Sequence, residues 1–151
     1  MKSIDVKMLL SAVLLGGFGS IQVAQAAPLA VDVGVNNYLP ESVQLTSANW
    51  PLGDLTPADY AISTNVGRDF TVGSGSEKRG VIRFSYSSSG GKSCLFTAGH
   101  DLRESFGWFT ATQTPYQWAD GKSQGNFLAT CTGKVVSNTP GKGYKVMFDI
   151  K

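Results

Sequence analysis

Hydrophobic and polar residues alternate with a period of two over several short segments of the chain. This alternation is typical of β-strands that are buried on one face only, and the period of an amphipathic helix does not recur. The sequence therefore predicts an all-β protein. The apolar positions that share a face are Val31, Val33 and Val35; Val43 and Leu45; Ile82, Phe84 and Tyr86; Cys94, Phe96 and Ala98; Phe127, Ala129 and Cys131; and Val146, Phe148 and Ile150.

Clusters of glycine, proline, asparagine, aspartate and serine separate these segments and predict turns. About seven to ten short strands result, and we expect them to pack as a single compact antiparallel β-sandwich. One helical turn is expected at Thr56–Tyr60, because Thr56 suits the N-cap and Pro57 the first helical position. The predicted turns are Asn36-Asn37, Pro51 to Asp54, Gly73 to Ser76, Ser89 to Lys92, Asp120-Gly121 and Pro140 to Gly143.

Residues 1–26 have the plan of a cleaved signal peptide. A lysine-bearing start is followed by an apolar run from Met8 to Ile21 and by Ala24-Gln25-Ala26, the small residues that signal peptidase requires. The run is shorter than the roughly 20 apolar residues of a spanning helix, so we expect no transmembrane segment after cleavage. The domain division predicted is a signal peptide over 1–26 and a β-sandwich over 27–151, in a secreted or periplasmic protein.

The cysteines and the charge narrow the choice of partner. Cys94 and Cys131 are the only two cysteines, and in an oxidising compartment such a pair predicts a disulfide, worth about 3–4 kcal/mol in the chain-entropy model. A metal site is disfavoured because His100 is the only histidine, too few ligands beside two thiols. We predict no metal and no other cofactor. The formal net charge of +2 gives no reason to expect nucleic acid as a partner.

Two short strings resemble known catalytic or phosphate-binding motifs. Leu95 to His100 resembles the segment that carries the catalytic histidine of chymotrypsin-like proteases, but the Gly-Asp-Ser-Gly string of that family is absent and Asp101 replaces its cysteine. Ser88 to Ser93 ends like a phosphate-binding loop but lacks the first glycine and joins two strands, which predicts a hairpin turn. We predict no catalytic residues; a hydrolase using His100 with Asp101 or Glu104 is the weakest alternative.

An aromatic patch is the strongest candidate for a functional surface. Tyrosine and tryptophan combine an apolar face with a polar group, which suits a sugar, a lipid headgroup or a protein partner. Packing in the second sheet would explain the same rings. Lys78 and Arg79 are possible contacts for an anionic headgroup. The patch lies between Phe106 and Trp118, and its predicted ligand-binding residues are Trp108, Phe109, Tyr116 and Trp118.

The order of features along the chain resembles aegerolysins and related actinoporin-like β-sandwiches. The resemblance rests on a valine-rich first strand, Trp50 to Gly53, the turn at Gly73 to Ser76 that leads to Gly80-Val81-Ile82-Arg83-Phe84, and the aromatic region that follows. It implies a compact sandwich that recognises membrane lipids. We therefore expect a non-catalytic binding protein for membrane lipid or glycan, or alternatively a periplasmic inhibitor or immunity protein that blocks an enzyme or toxin.

Overall fold

The computed structural model describes residues 28–106, 108, 111–138 and 143–151. The predicted leader therefore lies outside the described residues. Within them, eight strands and one single-turn 3-10 helix, Pro57–Tyr60, follow one another along the chain. The strands are β1 Leu29–Asn37, β2 Val43–Ala48, β3 Val66–Ser74, β4 Arg79–Ser88, β5 Ser93–Phe106, β6 Ala111–Ser123, β7 Cys131–Asn138 and β8 Tyr144–Ile150.

The strands form two four-stranded sheets that pack face to face. Sheet I has the order β3-β1-β8-β7, and sheet II has the order β2-β4-β5-β6. The pairing is antiparallel except between β1 and β8, which run parallel. The predicted all-β sandwich is confirmed, with one parallel pair that the sequence did not indicate.

The core lies between the sheets and is built from the predicted alternating residues. Val33, Phe84, Phe96 and Phe148 have no exposed surface. The Phe84 ring lies at the centre, with centroids 5.4 Å from Phe96 and 5.3 Å from Phe148. Burial of each such side chain contributes about 1.5–3 kcal/mol, so this cluster is the main source of stability.

A disulfide joins Cys94 on β5 to Cys131 on β7, with 5.7 Å between the two Cα atoms. It connects sheet II to sheet I at the edge of the core, where both residues are buried. The predicted pairing is confirmed. Separately, among the helices of the described ranges, none is long and apolar enough to cross a membrane.

The predicted helical turn lies in the connection between β2 and β3 and packs against the core. The Thr56 backbone N–H and hydroxyl both donate to the Asp59 carboxylate at 2.7 Å, which fixes the start of the helix Pro57–Tyr60. Tyr60 is buried, and its carbonyl accepts a hydrogen bond of 2.9 Å from the Tyr86 hydroxyl. The helical turn thus acts as a cover over the core.

The prediction of a turn at Asp120-Gly121 is wrong, because both residues lie inside β6. Glycine is needed at 121 for another reason: a Cβ there would lie 2.8 Å from the Cys131 carbonyl carbon. Asn36-Asn37 likewise belongs to β1, and the chain turns only after it. The predicted turn at Ser89 to Lys92 is confirmed; Gly91 has a φ of 81°, and Ser88 N–H donates to Lys92 O at 2.9 Å.

The predicted strand face of Phe127, Ala129 and Cys131 is also wrong, because β7 begins only at Cys131. The preceding residues cross from the edge of sheet II to sheet I and pair with the backbone only at single points: Phe127 N–H donates to Gly91 O at 3.3 Å, and Thr130 and Lys151 exchange two backbone hydrogen bonds. Phe127 is 63% exposed, and Ala129 N–H donates to the Ser123 hydroxyl at 3.1 Å.

Candidate functional site

Strands β5 and β6 form a hairpin that projects beyond the rest of sheet II. The pairing of β4 with β5 stops at Arg79↔Asp101, whereas β5 and β6 remain paired as far as Phe106↔Ala111. Five further residue pairs, at about 3.3 Å each, extend the hairpin by about 17 Å. Most of the predicted aromatic patch falls on this hairpin or at its base.

The tip of the hairpin carries strongly exposed aromatic side chains. Phe106 is 80% exposed and Trp108 is 92% exposed. We call these two residues the aromatic tip. Phe109, which was also predicted to bind the ligand, lies outside the described residues. Phe106 was not among the predicted ligand-binding residues. Its exposure becomes evident only in the structure, where it is the last residue of β5.

Tyr116 and Trp118 lie at the base of the hairpin, on the outer face of sheet II. Their cross-strand partners are Asp101 and Gly99, whose positions alternate with the buried residues Ala98 and His100. Tyr116 is 39% exposed, and Trp118 is half-buried. The predicted patch is therefore two separate groups, an aromatic tip and an aromatic base.

Basic side chains stand beside the aromatic base. The Arg103 guanidinium lies 3.3 Å from the centre of the Tyr116 ring, a cation–π contact. Arg79 donates two hydrogen bonds, of 3.2 and 3.3 Å, to the Asp101 carboxylate. These bonds hold the pKa of Asp101 below its ordinary value. Lys78 is exposed in the turn before β4, so both predicted headgroup contacts lie at the root of the hairpin.

His100 points the other way, into the sandwich, and is only 5% exposed. Its Nε2 lies 2.7 Å from the Ser76 carbonyl oxygen, and because a carbonyl only accepts, Nε2 carries the hydrogen. Asp101 lies on the opposite face of β5, and Glu104 accepts a hydrogen bond of 3.1 Å from Gln113. Neither carboxylate is thus placed beside the imidazole.

His100 lies in a cluster of buried polar side chains. The sequence pattern did not predict this cluster. Ser74 and Tyr144 are almost fully buried, and the imidazole and Tyr144 ring centres are 5.6 Å apart. Burial raises the pKa of the Tyr144 hydroxyl to about 12, an effect that the nearby Ser74 partly opposes. Within the described residues, Ser74 Oγ, His100 Nδ1 and Tyr144 OH have no well-formed hydrogen bond.

An open cleft of about 500 Å³ lies beside the helical turn. Its mostly apolar lining includes Trp50, Leu52, Leu55 and Tyr60. The Trp50 indole N–H is buried without a hydrogen-bond partner in the described part of the chain. This N–H is closed off from solvent, so it offers no contact to a molecule entering the cleft.

The most prominent surface features of the described residues are thus the projecting aromatic tip, the outer face of sheet II and the cleft at Trp50. In the described ranges, no group of three or more histidine, cysteine, aspartate or glutamate side chains is placed to hold a metal ion. Comparison of the chain with protein-family profiles, with curated proteins and with solved structures finds no match in any of the three.

Proposed function

We propose that this protein is a non-catalytic binding protein that works outside the cytoplasm and attaches to lipid membranes through the tip of its β5–β6 hairpin. The observation that carries the proposal is the exposure of Phe106, 80%, and Trp108, 92%, at the far end of a projecting element. Exposed large aromatic side chains at a protruding end are unusual in a soluble protein, unless they meet an apolar or interfacial surface.

The chemistry of the tip fits the boundary between lipid headgroups and acyl chains. A tryptophan ring is apolar but carries one N–H donor, and it prefers this boundary to either water or hydrocarbon. Backbone N–H and C=O groups without partners cannot enter hydrocarbon, so we expect the insertion of a hairpin to be shallow. Burial of the two rings contributes a few kcal/mol, at about 25 cal/mol per Å².

The charge distribution predicts weak dependence on anionic lipid. The sequence from Ser105 to Thr112 contains no charged residue, while Lys78 and Arg79 lie at the root, about 17 Å behind the tip. At shallow insertion these basic side chains stay outside the headgroup layer, and Arg103, about 10 Å behind the tip, is followed by the oppositely charged Glu104. We therefore expect the aromatic rings, and not Coulomb attraction, to dominate the affinity.

Vesicle partition tests the proposal. Co-sedimentation with phosphatidylcholine vesicles, with and without phosphatidylglycerol, is compared for wild type, Phe106→Ser and Trp108→Ala. Loss of either ring is expected to reduce the partition coefficient roughly tenfold. Leu128→Ala is the matched control, because Leu128 is 88% exposed but lies in the segment between β6 and β7.

Two results would contradict membrane attachment. One is a partition coefficient that neither tip substitution changes, and the other is an equal loss in the Leu128→Ala control. Quenching of tryptophan fluorescence by lipids brominated at known depths adds a direct readout. It is expected to be strongest for bromine near the headgroups and to weaken in Trp108→Ala.

An inhibitor or immunity protein is the second candidate, because a narrow projecting hairpin with an apolar end also fits a cleft in an enzyme or toxin. That function predicts no partition into vesicles. It predicts instead that the immobilised protein captures a partner from a periplasmic extract, and that Trp108→Ala abolishes the capture. The disulfide is compatible with the non-cytoplasmic location that both functions require.

A further inference from the structure

The Trp118 indole packs directly against Gly99 on the outer face of sheet II. A Cβ at position 99 would lie 2.6 Å from Cζ2 and 2.7 Å from Cε2 of the indole, so only glycine permits this arrangement. Gly99 is buried under the ring, whereas Trp118 itself is only half-buried. Part of the indole therefore covers the β5 backbone, and the remaining exposed part of the ring meets solvent.

The apolar surface continues across three strands. Val81 on β4 pairs with Gly99, and Gly99 pairs with Trp118, so the three positions form one row across the sheet. Val81 is 44% exposed. With strands about 4.8 Å apart, the row spans about 10 Å. We call this row the Trp118 platform.

Polar side chains border the platform on both sides. The row on one side is Arg79, Asp101 and Tyr116, and the row on the other side is Arg83, Thr97 and Asp120. Each bordering row contains one arginine and one aspartate, and the Arg103 guanidinium on the Tyr116 ring adds a third cation beside the first row. Hydrogen-bond donors and acceptors of both charge signs thus lie on each side of the apolar row.

We infer that the Trp118 platform binds a neutral oligosaccharide. A sugar ring has an apolar C–H face that packs on an aromatic ring, and its hydroxyl groups both donate and accept. The arginine side chains can donate to such hydroxyls and the aspartate side chains can accept from them, whereas an anionic ligand would face Asp101 and Asp120. This site goes beyond the proposed membrane attachment, because it uses different residues on a different part of the hairpin.

A ring over a strand glycine also stabilises a sheet without any ligand, so the test must separate the two roles. Wild-type protein is screened on an array of neutral and acidic oligosaccharides, and the strongest neutral oligosaccharide is then titrated calorimetrically. Trp118→Ala is expected to weaken its binding roughly tenfold or more, and Trp118→Phe to retain most of it. Val81→Glu places a charge at the far end of the platform without uncovering Gly99, so it decides the question if Trp118→Ala fails to fold.

Tyr38→Ala is the matched control, because Tyr38 is an exposed aromatic residue, 51% accessible, in the connection between β1 and β2. We expect unchanged affinity in this control. The inference would be overturned if no neutral oligosaccharide bound the wild type, if affinity were unchanged in Val81→Glu and in folded Trp118→Ala, or if only acidic sugars bound and high salt removed the binding.

Discussion

Single buried polar side chains hold the connections of this sandwich in place, and Asn37 at the end of β1 does so most fully. It has no exposed surface. Its Nδ2 lies 2.8 Å from Glu41 O, 3.2 Å from Ile62 O and 3.1 Å from Ser63 O. Its Oδ1 accepts a hydrogen bond of 3.0 Å from the Leu39 N–H. One side chain thereby joins two connections that are distant in sequence.

Asn37→Asp is expected to destabilise the protein by about 3 kcal/mol or more at neutral pH. The substitution replaces a donor group by a carboxylate oxygen that faces three carbonyl oxygens, while its shape hardly changes. Urea denaturation measures the loss. Acidification should reduce the difference from wild type, because protonation removes the buried charge and restores one O–H donor.

Asn138→Asp is the matched control for this substitution. Asn138 is exposed and uses only its oxygen in the hydrogen bond of 3.1 Å that it accepts from Gln117. A carboxylate can accept the same bond, so a change within about 0.5 kcal/mol is expected. Equal losses at positions 37 and 138 would show that the buried donor of Asn37 is unimportant.

At the scale of elements, glycines allow the edge strands of the two sheets to approach each other. A Cβ at Gly121 would lie 2.9 Å from Thr132 N, and one at Gly133 would lie 2.9 Å from Asp120 N. Strand β6 of sheet II therefore runs closely beside β7 of sheet I. Each edge shields the other from pairing with a foreign strand.

Gly121→Ala is expected to lower the free energy of unfolding by about 1–3 kcal/mol, the usual cost of overpacking. The added carbon meets the backbone of β7, which the disulfide at Cys131 holds in place. Gly73→Ala is the control, since a Cβ there meets only the Pro28 side chain, at 3.1 Å. Thermal unfolding should show the control unchanged or slightly stabilised, and equal destabilisation of both variants would contradict the proposed role of Gly121.

Local pattern predicted the strands that have one fully buried face, because alternation at β1, β4 and β8 reports burial directly. The pattern gave a wrong prediction at Gly121. Asp-Gly is a common turn sequence, but here the strand continues, and the glycine is needed because the backbone of β7 lies too close for a Cβ. The sequence pattern also identified the aromatic residues of the candidate site, but it did not predict how they are arranged in space. The division into tip and base follows from the register in which β5 pairs with β6. The amino-acid composition of either strand does not determine that register.

At the scale of the whole molecule, the two proposed binding surfaces both belong to sheet II. The aromatic tip extends from its end, and the Trp118 platform occupies its outer face. Both sheets present charged pairs to solvent, Arg79 and Asp101 on sheet II and Lys145 and Asp69 on sheet I. If both proposals hold, sheet II is the binding side, and sheet I completes the core and supports the projecting hairpin.

Each sheet also contributes one buried tyrosine, Tyr86 on β4 and Tyr144 on β8. Burial raises the pKa of both hydroxyls, that of Tyr144 to about 12. An unfolded tyrosine titrates near pH 10, so above about pH 10 the unfolded chain releases protons that the folded protein retains. The contribution of these two tyrosines to stability is therefore fully present below about pH 10 and is lost as the pH rises further.

Each buried tyrosine is expected to contribute a slope of up to about 1.4 kcal/mol per pH unit in this alkaline range. Tyr144→Phe removes one of the two ionisations, so the dependence of unfolding free energy on pH should become shallower between about pH 10 and about pH 12. Urea denaturation at several alkaline pH values measures it. Other groups that ionise at alkaline pH are present in both proteins, so the difference between the two pH dependences of unfolding free energy is due to Tyr144. Identical pH dependences would mean that the Tyr144 hydroxyl ionises without opening the sandwich.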